Sequence, residues 1–500
     1  MSSRERLASE RVVVVGSGPP GAAAAHLLSR MGVDVLLLEA GSQRAALGLT
    51  VRVRGFTVAK VRRPLGQRPD YEATGDPAAE LFEDVAPGGL TNHWSCAVPR
   101  FSPEDFADGE RAGDAYTWPI GYDDVAPWYA HVEPLLRVAG GSAEYEQLPA
   151  GRVRHRVTLR RDWEPIATQA QHAGRAVAPM PYAYGAETTV TLSGTVFNSF
   201  VRLLGPELRA GRIDTRFDAR VLRLEWSREK RRVEAVVFRN ARTGAEESVA
   251  CRAVVLAAGA IGSAEILLAS SSTEFPQGLG NTEDVLGRYL HDHPLGKLVL
   301  DLDDPVSIHP PAYMTRPTLD RAPPLYTAAC VQWSGASLFA RSLLRRSPGR
   351  LPWVGFNVFG TMAPTRDNWV ALDPSKTRRD GSPALKLHVR HPPEAGPALH
   401  RARDDMAEVL ARAGLRPQVR LWHVEPVGES KHYGGTCRMH ASAKYGMLDR
   451  WSRLHAAPNV AVGDSAAFTT GPEKNPVLTA MALAARAANR IAEDMKAGTI

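Results

Sequence analysis

Arg11-Val12-Val13-Val14-Val15-Gly16-Ser17-Gly18-Pro19-Pro20-Gly21 is the stretch that decides the fold. It opens on a β-branched run suited to a strand covered on both faces. It ends in glycines spaced G-x-G-x-x-G. An alanine-rich helical segment, Ala22 to Met31, follows. Then comes Val33-Asp34-Val35-Leu36-Leu37-Leu38-Glu39, a second strand closed by an acid. Each glycine has a reason: Gly16 permits the tight turn, Gly18 lets backbone approach a pyrophosphate, and Gly21 lets helix pack closely on strand. The phosphates would lie on the free N–H groups at the positive end of the helix. Glu39 stands 18 residues beyond Gly21 (39 − 21), which suits a carboxylate accepting hydrogen bonds from ribose hydroxyls. The pattern predicts a dinucleotide site. It does not separate NAD from FAD, and it is silent on the reaction; the plainer alternative is a glycine-rich turn of another α/β protein.

Outward from this stretch, 500 residues with 44% hydrophobic content can bury a large core and point to two or more domains. The net charge of +7 is carried by short arginine runs such as Arg62-Arg63 and Arg345-Arg346. No basic stripe interleaved with aromatics occurs, so a nucleic-acid partner is not expected. A basic solvated surface is the plain reading, and attraction of an anionic substrate the sharper one. The cysteines at 96, 251, 330 and 437 form no CxxC pair, which favours a reducing compartment. The start of the chain has no apolar leader pattern, and no run of about 18 apolar residues suggests a membrane span. A cytoplasmic protein with no membrane partner is expected.

Residues 87–101 run Pro87-Gly88-Gly89-Leu90-Thr91-Asn92-His93-Trp94-Ser95-Cys96-Ala97-Val98-Pro99-Arg100-Phe101. Gly88-Gly89 can bring backbone against a ligand. Taken alone, His93 beside Trp94 is an ordinary core or loop histidine. The segment resembles the flavin-contacting loop of pyranose oxidases, a branch of the glucose–methanol–choline oxidoreductase family. The resemblance implies FAD as cofactor, contacted by Gly88, Gly89, Asn92, His93, Trp94 and Ser95. In fungal members the histidine is joined covalently to the flavin; for His93 that bond is left open. Ser95 stands where those enzymes have threonine, and its hydroxyl can still reach the flavin N5 region.

Residues 212–256 alternate as a β-meander with a charged turn at Ser227–Arg232. The last run ends at Ala257-Ala258-Gly259-Ala260-Ile261-Gly262, before a helix predicted over Ser263–Ser270. By resemblance this is the family's second FAD segment, with Val221 lining the adenine pocket and Gly259 approaching the cofactor. Leu286-Gly287-Arg288-Tyr289-Leu290-His291-Asp292-His293-Pro294 also resembles a family motif. Its histidines lack further ligands at zinc-like spacing, so no metal is expected. A loop under the flavin or at the domain junction is the better reading. Within 301–425, the runs around Thr327–Trp333, Trp353–Gly360, Asn368–Pro374 and Ala384–Pro392 read as strands of a separate sheet, followed by a helix near Gly396–Ala413.

Alcohol oxidation needs a base for the hydroxyl proton and a polar group to orient the oxygen. Histidine suits the first role because its pKa lies near neutrality. An asparagine amide suits the second, since it can donate and accept without titrating. The chain offers His432 in a glycine-rich turn, His432-Tyr433-Gly434-Gly435-Thr436-Cys437-Arg438-Met439, and Asn475 before Pro476 at a helix start. On the residues alone both are ordinary loop positions. These runs resemble the family's C-terminal signatures, which implies His432 as base and Asn475 as its partner. The same resemblance places Asp464 at the ribityl or pyrophosphate end of FAD and Pro476 at the flavin edge. His440 departs from the pattern, where most relatives have glycine.

The expected fold is α/β: a doubly wound, Rossmann-like FAD-binding domain from discontinuous segments (1–104, 211–300 and 426–500), a cap region (105–210), and an antiparallel-sheet substrate domain (301–425). The expected activity is oxidation of a secondary ring hydroxyl of a pyranose, glycoside or amino sugar to a ketone. The electrons pass on to oxygen or another acceptor. Two alternatives stand beside it: oxidation of a primary alcohol on a natural-product intermediate such as an aminoglycoside, and a flavin-containing lyase of the same family. No oligomeric state follows from the sequence.

Overall fold

The computed structural model describes residues 10–42, 71–79, 81–92, 94–141, 144–183, 197–307, 310–317, 329–333, 350–378 and 381–500. In chain order the first elements are β1 (Val12–Val15), α1 (Pro19–Arg30), β2 (Val35–Leu38), β3 (Tyr71–Gly75), α2 (Pro103–Ala107), α3 (Tyr122–Leu136), α4 (Glu164–His172) and β4 (Val177–Pro179). The middle holds β5 (Asp214–Arg216), β6 (Ala219–Ser227), β7 (Arg232–Asn240), β8 (Glu246–Ala250), β9 (Ala253–Leu256) and α5 (Gly259–Ala269). Then follow β10 (Leu295–Ser307), β11 (Ala312–Met314), β12 (Ala329–Trp333), β13 (Arg350–Gly360), β14 (Trp369–Thr377), β15 (Pro383–Val389), α6 (Ala395–Arg412), β16 (Gln418–Val424), β17 (Val460–Val462) and α7 (Val477–Ala497).

The β-branched run of β1 is the centre of a parallel sheet ordered β17-β9-β1-β2-β5 among the described residues. All four of its side chains are buried, as a strand covered on both faces requires. Strands from residues 12, 253 and 460 thus lie side by side, so this domain is built from three distant parts of the chain. Helices α1 and α7 pack together over the sheet, and the antiparallel β6-β7-β8 meander lies against β2 and β9. The last run of the meander, from Ser248 on, read as one strand, is two: Cys251-Arg252 breaks it, β8 pairs with β7, and β9 joins the parallel sheet. The fully apolar Ala253-Val254-Val255-Leu256 suits burial on both faces, whereas the polar Glu246–Ala250 alternates with solvent.

A second sheet, ordered β16-β10-β13-β12-β11-β4, is antiparallel throughout. Leu298, Leu300, Phe356 and Val358 project from one face into a core closed by α6 and α4. The opposite side chains, including Leu295, Lys297, Asn357 and Phe359, look toward the parallel sheet. The hairpin β14–β15, expected on this sheet, pairs instead with β3 and packs against α5. The architecture is α/β with a doubly wound parallel sheet and separate antiparallel sheets. Among the described residues no helix is long and apolar enough to cross a membrane.

Candidate active site

Three turns leave the carboxyl ends of neighbouring parallel strands: 16–18 after β1, 257–259 after β9 and 463–465 after β17. Ligands of open α/β sheets bind at such a crevice. Here it opens into a cavity of about 500 Å3 that reaches from Gly16, Glu39 and Val221 to His432 and Asn475.

The glycines divide their work as their spacing predicts. Gly16 has φ +94°, and a Cβ there would lie 2.5 Å from the Ala257 carbonyl oxygen. A Cβ on Gly21 would lie 2.0 Å from the Gly16 carbonyl oxygen, so helix and turn touch at this point. Gly18 differs: a Cβ would meet nothing within 4 Å, and the same is true of Gly259. Gly89 sits across from Gly18, its added Cβ 3.7 Å from the Gly18 Cα. Gly18, Gly89 and Gly259 therefore leave backbone facing open cavity, the cradle a dinucleotide needs.

Carboxylates hold these turns together. Glu39 accepts from Ser17 N at 3.1 Å, Ser17 Oγ at 2.5 Å and Gly41 N at 2.6 Å. Asp464 accepts from Gly259 N at 2.9 Å and Ser263 Oγ at 2.6 Å through one oxygen, and from Ala466 N at 2.8 Å through the other. Both groups line the cavity, and burial raises both pKa values. Trp94, Ser95 and Pro476 also line it. Trp94 is fixed by its Nε1–H, which donates to the Phe197 carbonyl at 2.9 Å.

Three expected cofactor contacts stand back from the cavity wall. Gly21 serves packing, as above. Gly88 has φ +92° and lies so close to Asn198 that a Cβ would fall 2.3 Å from its amide nitrogen. Asn92 donates to Asp84 at 3.0 Å and to the Gly89 carbonyl at 2.9 Å, and accepts from Asn198 at 2.8 Å. It staples the loop that presents Gly89. His93 lies outside the described residues.

At the far end, His432 Nε2 faces Asn475 Nδ2 at 3.2 Å, bringing together residues 43 apart. The Asn475 Oδ1 is buried without a hydrogen-bond partner. Burial, then the charge of Lys431, lowers the His432 pKa to about 3, so the imidazole is neutral. Asn475 stands just before α7, whose first residues share the wall.

Sequence reading missed what holds these two residues. The Asp292 carboxylate accepts from Gly428 N at 2.8 Å, His432 N at 2.8 Å and the Ser430 hydroxyl, which shapes the turn carrying His432. His293 packs its ring 4.8 Å from that of His432. Behind Asn475, Lys474 pairs with Asp105 at 2.7 Å and Glu473 at 2.9 Å. The fully buried Arg316 reaches Asp105 at 3.2 Å, Asp108 at 2.6 Å and Glu473 at 3.5 Å. The adjacency His291-Asp292-His293 was a visible signal; the buried ion network, drawn from three distant segments, was not. His440 bridges the Asp114 carbonyl at 2.8 Å and the Ser442 N–H at 2.9 Å, which gives the departing residue a stapling role.

Comparison with known proteins agrees with this geometry. Residues 364–484 match the family model GMC oxidoreductase, and residues 9–62 match FAD binding domain. A 2-methyl-1,2-propanediol dehydrogenase of Mycolicibacterium austroafricanum is 26% identical, covering 96% of this chain and 94% of the relative. A 6'''-hydroxyparomomycin C oxidase of Streptomyces lividus is 28% identical over 97% and 92%. A C-glycoside 3-oxidase of Microbacterium trichothecenolyticum is 26% identical over 99% of both. Among solved structures, a pyridoxine 4-oxidase superposes with TM-score 0.65 at 16% identity, over 97% of this chain and 99% of that one. It shares the fold.

A glycine cradle at the ends of parallel strands, continuous with a histidine and asparagine pair under an antiparallel sheet, defines an FAD-dependent oxidoreductase acting on alcohols or sugars. The chain is similar to the glucose–methanol–choline oxidoreductase family over residues 364–484, and to oxidases and dehydrogenases at 26–28% identity over nearly its whole length.

Proposed function

We propose that this enzyme oxidises a secondary ring hydroxyl of a pyranose, glycoside or amino sugar to a ketone. The observation that carries the reading is the His432–Asn475 pair at 3.2 Å on the cavity wall, with a neutral imidazole. His432 Nε2 takes the hydroxyl proton. Asn475 orients the oxygen through its amide, whose Nδ2 can donate to the oxygen as charge develops. Bound FAD supplies the two-electron acceptor for the hydride that leaves the same carbon as the C=O bond forms.

For the cofactor, Gly16, Gly18, Glu39, Gly89, Val221, Gly259 and Asp464 would hold the dinucleotide, and Trp94, Ser95 and Pro476 the end nearest His432. The open Cβ positions of Gly18 and Gly259 support this assignment. His93 follows Asn92 on the same loop and is proposed to contact the flavin.

A sugar suits the wall opposite the glycines. Leu295 and Phe359 give an apolar surface, while Lys297 and Asn357 offer polar groups to hydroxyls. Two acids near this wall are matched: Glu429 pairs with Lys431 at 3.0 Å, and Glu425 pairs with the lining Lys297. That favours a substrate with little positive charge over a polycation. Oxidation of a primary alcohol on an aminoglycoside is the second reading, supported by the names of the Streptomyces relatives. Incubating the holoenzyme with a panel of glycosides, C-glycosides and aminoglycosides and identifying the carbonyl product by NMR separates the two. A ring ketone supports the first reading; an aldehyde from a primary alcohol replaces it with the second.

A further inference from the structure

The base in the proposed reaction has a neighbour whose position sets which nitrogen it offers. His432 has two ring nitrogens, and each faces a different group. Nε2 lies 3.2 Å from the Asn475 amide nitrogen. Nδ1 lies 3.4 Å from Nδ1 of His293. With the amide nitrogen turned toward it, Nε2 is the lone-pair nitrogen, and the ring proton then sits on Nδ1. A proton on Nδ1 needs an acceptor, and His293 Nδ1 is the group in place.

We propose that His293 is a positioning residue that holds His432 in the Nδ1–H tautomer by accepting that proton's hydrogen bond, leaving Nε2 as the proton acceptor toward the cavity. The proposal rests on the reading of His432 as base. The surroundings of His293 suit an acceptor. It is fully buried, and burial keeps it neutral, with His432, His291 and His391 nearby all opposing a charge. Its ring is wedged at 4.8 Å from His432 and at 6.0 Å from Phe359, which limits rotation.

The neighbouring residues in the chain fix the same geometry from the backbone. His291 is threaded against Gly434 and Gly435: its N–H donates to the Gly434 carbonyl at 3.1 Å, and the Gly434 N–H returns a bond at 3.0 Å. A Cβ at either glycine would lie 2.6 Å from a His291 ring nitrogen. Asp292 fastens the His432 N–H at 2.8 Å. Residues 291–293 are thus a template on which the His432 turn is laid, and His293 is the part of it that reaches the imidazole. Lys431, held at φ +62° just before His432, shows how tightly the turn is constrained. When His432 takes a substrate proton on Nε2, the imidazolium keeps its Nδ1–H on His293, so the ring need not turn.

The test is a tautomer measurement on the FAD-loaded protein labelled with 15N-histidine, with the His432 signals assigned through His432→Gln. The wild type should show His432 protonated on Nδ1 and bare on Nε2. A wild type with the proton on Nε2 overturns the proposal, whatever the substrate proves to be. Two isosteric variants extend it. His293→Asn keeps an acceptor close to the Nδ1 position, and His293→Leu keeps the volume without it. The Leu variant should lose the Nδ1–H preference and drop kcat roughly 10- to 100-fold, the scale seen when a group that orients a working group is removed. KM and FAD content should stay near wild type, and the Asn variant should recover most of kcat. Equal behaviour of the two variants, whether both active or both impaired, overturns the proposal. Because the tautomer is read without substrate, an error in the proposed reaction leaves this result standing.

Discussion

Gly16, Gly18 and Gly21 are the same residue type within six positions, yet a methyl group added to each meets a different fate. At Gly21 it would strike the Gly16 carbonyl, and at Gly18 it would enter open cavity. Gly21→Ala should therefore lower the stability of the FAD-free protein by about 1–3 kcal/mol or more, as overpacking does. Gly18→Ala should leave that stability unchanged and weaken FAD binding by a similar amount. Denaturant titration of the apoprotein and flavin fluorescence titration would separate the two, and equal effects on both readouts would contradict the division. At the other end of the cavity, His432→Ala should lower the rate of substrate oxidation by roughly 100- to 10,000-fold, the range for a lost general base. This part of the site was legible because each motif is local in sequence and its chemistry constrains residue type. Asn92 was not legible in the same way. Its partner Asn198 lies 106 residues on, and nothing near Asn92 reveals that its amide is already committed.

Elements carry the proposed catalytic residues, and their ends are pinned by groups that no local pattern announces. The start of α7 is the clearest case. Lys474 and Arg316 are completely buried, facing Asp105, Asp108 and Glu473. Arg316→Met would leave those carboxylates short of a cation, and breaking a buried pair costs about 3–5 kcal/mol. A shift of the denaturation midpoint of that size, with weakened activity because Asn475 adjoins the network, is the expected result; a stability change under about 1 kcal/mol would show the network to be dispensable. Periodicity gave some helices and most strands: α6, expected near 396–413, runs Ala395–Arg412, whereas α3 and α4 lie in the cap region, where no helix was expected. Pairing was harder. The hairpin β14–β15 reads as a strand pair anywhere, but its place beside β3 depends on packing against α5, a contact between residues about 100 positions apart.

For the molecule as a whole, burial of ionisable groups predicts how stability varies with pH. Burial lowers His291 and His391 to about 4 and His432 to about 3, and also lowers His26, His131 and His293. In the unfolded chain each titrates near about 6.5. Between these values the unfolded state holds a proton that the folded state does not, so their contribution is present above about pH 6.5 and is lost as pH falls through that window. Burial raises Asp108 and Asp292 to about 6, and raises Glu39 and Asp464, which act in the opposite sense over a lower range. The six histidines outnumber the four carboxylates, and just below pH 6.5 they act ahead of Asp108 and Asp292. Thermal melts should show Tm falling from pH 7 to pH 5.5; a Tm that rose over that range would contradict the balance. The doubly wound fold and the likeness to the family were legible because motifs recur in order along the chain, from residues 11–41 to 432–492. The assembly of three segments was already expected from the motif order; the ion pairs Glu429–Lys431 and Glu425–Lys297 needed the structure. The most direct test of the central claim is anaerobic bleaching of the flavin band. The yellow holoenzyme is mixed, without oxygen, with glycosides, C-glycosides and aminoglycosides, alongside His432→Ala. Loss of flavin absorbance with a glycoside, slowed at least 100-fold in the variant, is the predicted result. Absorbance unchanged by every compound, or a variant that bleaches as fast as wild type, would contradict it.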